Sequence, residues 1–98
     1  MVVDKLTTNY YKVLALLFDK GVQVDGKRLV PITQSEVTKL TGINKTTVNK
    51  IFKELQHDGL ITYESTRFGQ YFITNRGADI VRKIKSIRDW GVNYNERK

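Results

Sequence analysis

A chain of 98 residues, 40% hydrophobic and 28% charged, has the length of one folded domain and too much apolar content for a disordered one. Seventeen Lys and Arg against ten Asp and Glu leave a net charge of +7, which draws polyanions, nucleic acid foremost; an anionic membrane surface is the weaker option, because no basic amphipathic helix stands apart from the fold. The lack of cysteine excludes a disulfide framework, a thiolate zinc site and a cysteine nucleophile, and fits a cytoplasmic protein. No apolar run reaches the ~20 residues that a membrane span needs, and the opening MVVDKLTT lacks the basic-then-apolar order of a signal peptide.

The chain reads as a single domain over residues 1–98. It comprises a dimerisation and core helix within 1–20, a helix-turn-helix over 33–58, a wing over 60–74 and a C-terminal helix over 75–90. The first helix is expected over residues 8–20. Leu6, Tyr10, Val13, Leu14 and Leu17 recur at i, i+4, i+7, i+8 and i+11, which is one helical face. Tyr11, Leu16 and Phe18 lie off that stripe, and a helix apolar on two sides is buried on two sides. The core takes one side; the other is expected to meet a second copy, with Tyr10, Tyr11, Leu14 and Phe18 at the interface. Gly21 suits the end of this helix. A loop or small hairpin then follows, with Val22 and Val24 alternating around Gln23 and a type I′ turn signal at Asp25-Gly26. Lys27 and Arg28 read as solvated loop charges.

Thr33-Gln34-Ser35-Glu36 has the pattern of a capping box, in which the Thr33 hydroxyl accepts from the Glu36 amide and the Glu36 carboxylate accepts from the Thr33 amide. Val37 and Leu40 should face inward, Gly42 should end this second helix, and Ile43 should anchor the turn. Asn44 is the expected N-cap of a third helix over residues 45–58. There Val48, Ile51, Phe52 and Leu55, at i, i+3, i+4 and i+7, form the buried stripe. The opposite side carries Thr46, Asn49, Lys50 and Lys53, with Lys45 and Thr47 at its leading end, and Gly59 breaks the helix.

Residues 60–64 and 70–74 are rich in β-branched and aromatic residues and read as the two strands of a hairpin whose tip carries Arg67, Phe68 and Gly69. Thr74 is the expected cap of a fourth helix over 75–89, with Ala78, Val81, Ile84 and Ile87 inward, and with Trp90, Val92 and Tyr94 in a partly docked tail. From Asn75 onward seven Lys and Arg face three acids, either as a solvated outer face or as a backbone contact.

The polar side of the third helix matches what a duplex needs. A major groove admits one α-helix, whose leading end must carry short polar groups and whose cations must reach phosphates. Asn49 can make paired bonds to an adenine edge, and Lys45 or Lys50 can donate to guanine. Thr46 and Thr47 can pack on a thymine methyl or bond a phosphate. Thr33, Gln34 and Ser35, and Asn44 at the next helix start, stand where amide donors and a positive dipole end favour phosphate, and Lys53 extends the cationic face. Arg67 at the hairpin tip suits a minor groove. His57 has no ligand-type neighbours and reads as solvated. No metal site, cofactor loop or catalytic set is apparent, so the expectation is a non-enzyme without a cofactor.

Helix, helix-turn-helix, hairpin, helix is the order of the winged helix-turn-helix, which the chain resembles over roughly residues 8–88. HDGLITYE resembles the family's exit into the wing, and FITNRGADIV its entry into the last helix. The resemblance implies a mainly α fold with a small β-hairpin wing and a homodimer on double-stranded DNA. Three readings of function follow. The first is a transcriptional regulator, most simply a repressor. Its core is similar to the multiple-antibiotic-resistance and arsenical-resistance regulator groups, without the long dimerisation helices of the former or the metal ligands of the latter. The second is a plasmid or phage centromere-binding adaptor, resembling the TubR type in size and layout, whose partner is a filament-forming, tubulin-like GTPase. The third is a winged helix for protein contact alone, against which the charge argues.

Overall fold

The structure, a computed structural model, describes residues 9–65 and 69–96, with side chains described as far as residue 86. Its elements in chain order are α1 (Asn9–Lys20), β1 (Val22–Val24), β2 (Lys27–Val30), α2 (Gln34–Thr41), α3 (Lys45–His57), β3 (Ile61–Glu64), β4 (Gln70–Ile73) and α4 (Asn75–Glu96). This is the winged helix-turn-helix order. The core is formed where α1, α3 and α4 meet the sheet: Leu14 and Leu17 of α1, Phe52 and Leu55 of α3, Ile61 of β3 and Val81 of α4 are all almost completely buried. Each such side chain contributes on the order of 1.5–3 kcal/mol relative to exposure. The sequence expectations for Leu6, Phe68 and the side chains of Ile87, Trp90, Val92 and Tyr94 lie outside the described residues.

The first hairpin forms where the turn chemistry places it. Asp25 and Gly26 have φ of 51° and 79°, both positive as a type I′ turn requires. The hairpin is not separate from the wing, however. β2 pairs with β4, Arg28 opposite Ile73 and Val30 opposite Tyr71, giving one four-stranded antiparallel sheet in the order β1-β2-β4-β3. The reason is burial: Val30 faces the core beside Ile73 and Ile61 only when its strand is in register with the wing. Arg28 is accordingly no solvated loop charge. Its guanidinium lies 4.2 Å from the centre of the Phe18 ring and donates to the Phe18 carbonyl at 3.1 Å. Lys27 pairs with Glu64 of β3 at 2.8 Å.

Three further expectations are corrected. Leu40 is 56% exposed rather than inward. The inner face of α2 runs through Gln34, Val37, Thr38 and Thr41, at i, i+3, i+4 and i+7, which leaves Leu40 on the outer edge. α4 continues through Gly91 to Glu96, since a single glycine lowers helix propensity by only ~1 kcal/mol and does not forbid the conformation. Tyr11 and Leu14 are 4% and 1% exposed within the single chain, so neither is available to a second copy. α1 packs against α2, α3, α4 and β2, and Leu14 lies in the core they share. Of the four α1 positions expected at a dimer interface, Tyr10 and Phe18 alone retain partial exposure. The Tyr10 hydroxyl donates to Asp58, while the cations of Arg28, Arg82 and Lys85 surround the Phe18 ring.

The joint between wing and last helix depends on Thr74 and Gly77. The Thr74 hydroxyl accepts from the Gly77 amide at 3.0 Å and donates to the Gly59 carbonyl at 2.7 Å, tying the start of α4 to the end of α3. A β-carbon on Gly77 would lie 2.2 Å from the Leu60 carbonyl oxygen, so only glycine permits this close approach.

Candidate nucleic-acid interface

The helix-turn-helix is built from local bonds that the sequence encodes directly. Thr33 Oγ1 accepts from the Glu36 amide at 3.1 Å, and Glu36 Oε1 accepts from the Thr33 amide at 3.0 Å, completing the capping box. Gly42 ends α2 at φ 78°, its amide donating to the Thr38 carbonyl at 2.9 Å. That left-handed residue turns the chain so that Ile43 enters the core. Asn44 Oδ1 then accepts from the Thr47 amide at 2.8 Å and starts α3.

Along α3 the two faces separate cleanly. Val48, Ile51, Phe52 and Leu55 are buried, and Lys45, Thr46, Asn49, Lys50 and Lys53 are exposed. At ~100° per residue the buried set spans an arc of about 100° and the polar set a distinct arc of about 140°. Thr47 is half-buried at the margin. Lys45, Lys50 and Lys53 have no carboxylate partner among the described residues, whereas Lys27, Lys83 and Lys85 each have one. A cation with no internal partner is available to a phosphate.

The first turn of α2 lies against the same face. Asn49 Nδ2 donates to Gln34 Oε1 at 3.2 Å, so the sequence-nominated residues Gln34 and Asn49 are adjacent, with Thr33 and exposed Ser35 on either side of Gln34. This contact has no sequence signal, because it joins side chains of two helices across a turn. The wing is held to α3 by aromatic packing. The Phe52 and Tyr71 rings meet edge to face, 5.0 Å apart at 78°, and Tyr63 packs on Tyr71 at 4.9 Å. Tyr63 remains 48% exposed on the wing, a position that alternation along a strand identifies only when the sheet's inner face is known. Arg67, the expected minor-groove contact, lies outside the described residues. Among the described residues, no group of three or more His, Cys, Asp or Glu could hold a metal ion, and no helix is long and apolar enough to cross a membrane.

Taken together, the two-faced α3, the capped turn and the adjoining hairpin define a winged helix-turn-helix domain. Residues 12–78 match the Crp-like helix-turn-helix domain, and the chain belongs to that family. Solved structures share the fold. The chain is similar to Lactococcus lactis ZitR in two mutant forms. A double mutant in its apo form gives a TM-score of 0.70 at 15% identity, covering 98% of this chain and 68% of that one. A single mutant gives 0.67 at 16% identity, covering 95% and 60%. The chain is also similar to the transcriptional regulator Tm0710 from Thermotoga maritima, with a TM-score of 0.65 at 22% identity over 91% of this chain and 58% of that one. No curated protein matches the chain in sequence.

Proposed function

We propose that the protein binds double-stranded DNA as a homodimer and regulates transcription, acting as a repressor by occupying its site. α3 lies in the major groove, with Asn49 and the leading residues Thr46 and Thr47 at base edges. Lys45, Lys50 and Lys53 reach phosphates, and Thr33, Gln34, Ser35 and Asn44 line the backbone. The wing, with Arg67 at its tip, follows the neighbouring minor groove. The single observation that carries this reading is the division of α3: every polar residue nominated from the sequence is exposed or marginal, and every apolar residue of the stripe is buried. Three lysines, without a carboxylate partner among the described residues, and an asparagine share one arc of α3. Membership of the Crp-like helix-turn-helix family supports the same reading.

Two copies would present two such helices to paired half-sites. With Tyr11 and Leu14 buried, Tyr10 and Phe18 are the nominated α1 positions that this reading leaves at the pairing surface. The test begins with selection of duplexes from a randomised pool by the wild-type protein. Asn49→Ala is then expected to lower the ratio of affinities for the selected and a scrambled duplex by ~5- to 150-fold, the equivalent of one paired base contact. An unchanged ratio, or no enrichment of any sequence, would refute the assignment of α3 as the reader. Sedimentation of the complex reports the stoichiometry, and one protomer per site would refute the dimer.

A further inference from the structure

The bond between Gln34 and Asn49 crosses the helix-turn-helix and joins residues fifteen apart in the chain. A carboxamide carries two N–H donors and one acceptor oxygen. Asn49 gives one N–H to Gln34 Oε1 and keeps the other, together with its oxygen, which has no partner among the described residues. One donor and one acceptor side by side are what the N7 and N6 edge of adenine requires. With the Gln34 amide hydrogens turned to a phosphate, the contact also selects the orientation of the Asn49 amide: rotating the Asn49 carboxamide by half a turn would then set its oxygen against the Gln34 oxygen, acceptor against acceptor, and would present donor and acceptor to the base in the wrong order.

Gln34 is free to serve in this way because the fold does not need it elsewhere. It is the first residue of α2, and the cap of that helix is made by Thr33 and Glu36 on either side of it. Its own amide nitrogen has no hydrogen-bond partner among the described residues and carries two donors. We propose that Gln34 is a positioning residue for sequence recognition: it holds the Asn49 carboxamide in the one orientation that reads adenine, while its own amide hydrogens bond a phosphate oxygen. Register on the backbone and reading of the base are thereby coupled through one side chain. The inference rests on the reading of α3 as the DNA-contacting helix.

Gln34→Leu, Gln34→Glu, Asn49→Ala and the double variant Gln34→Leu/Asn49→Ala test it. Binding is measured by fluorescence anisotropy on a duplex selected by the wild-type protein and on a scrambled duplex, with thermal unfolding as the check on folding. Gln34→Leu is expected to lower the ratio of the two affinities by roughly 2- to 10-fold, the ordering cost of one freed side chain, with the melting temperature unchanged. The double variant should lose no more than Asn49→Ala alone. Gln34→Glu keeps an acceptor for Asn49 but adds a negative charge beside the backbone, so it should preserve the ratio and weaken both duplexes together. If Asn49→Ala collapses the ratio while Gln34→Leu leaves it intact, or if the two losses simply multiply, the positioning role is overturned and the DNA reading stands. If Asn49→Ala itself leaves the ratio intact, both fall.

Discussion

Replacing Lys45, Lys50 and Lys53 by alanine together tests the electrostatic part of the interface. The three ammonium groups are exposed on the polar arc of α3 and lack ion-pair partners among the described residues, so each is available to neutralise one phosphate. Each phosphate neutralised on B-form DNA contributes ~0.9 to the slope of log affinity against log salt. Three contacts therefore account for a slope of about 2.7. Over a fourfold rise in salt, from 50 to 200 mM, one contact corresponds to ~3.5-fold in affinity and three to roughly 40-fold. The assay is anisotropy titration of a scrambled duplex at several salt concentrations, which removes base reading from the measurement. Between those two concentrations the wild-type protein is expected to lose roughly 40-fold more affinity than the triple variant. The fold should be untouched, since alanine is a better helix former than lysine and the buried stripe is intact; circular dichroism checks this. A slope that changes by less than about 1 would refute the placement of these lysines against phosphates, whatever the absolute affinity.

Two predictions concern the scaffold. Gly77→Ala should destabilise the domain by ~1–3 kcal/mol, because the new methyl would sit 2.2 Å from the Leu60 carbonyl oxygen and 3.1 Å from Ile73 Cγ2, which outweighs the gain in helix propensity. A urea midpoint equal to or above wild type would refute the close-packing argument. Tyr10→Phe removes the bond from the Tyr10 hydroxyl to the Asp58 carboxylate and should cost ~1–2 kcal/mol near neutrality. Burial first, and then the bond and charge of Asp58, raise the Tyr10 pKa above its ordinary value. The folded state thus holds this proton more tightly than the unfolded state. Its contribution is complete below pH ~10 and is lost as pH rises through the higher folded range. The stability gap between wild type and Tyr10→Phe should therefore hold steady from pH 8 to about pH 10 and narrow only above that in urea titrations, and a gap that already closes below pH ~9, or that widens above pH ~10, would refute the assignment.

Local chemistry determined most of this protein's elements. The capping box at Thr33 and Glu36, the Asn44 cap, the left-handed Gly42, the Asp25-Gly26 turn and the Thr74 cap each act over at most four residues, so their bonds are written in adjacent letters of the chain. The division of α3 was legible for the same reason: four apolar residues at helical spacing can only be satisfied on one side, which leaves Asn49 and the lysines on the other. Tertiary structure decided everything that depends on which surfaces meet. Val22–Val24 and Lys27–Val30 form a hairpin by local rules, but their addition to the wing follows from the register of Val30 against Tyr71. Tyr11 and Leu14 carry the same apolar signal that an interface residue would carry; only the folded chain shows both of them buried within one copy. Periodicity reports that a side chain will be covered and is silent on whether its own chain or another does the covering. The pairing of Gln34 with Asn49 lies at the same limit, because two exposed amides fifteen residues apart become neighbours only once the turn at Gly42 has set the angle between two helices.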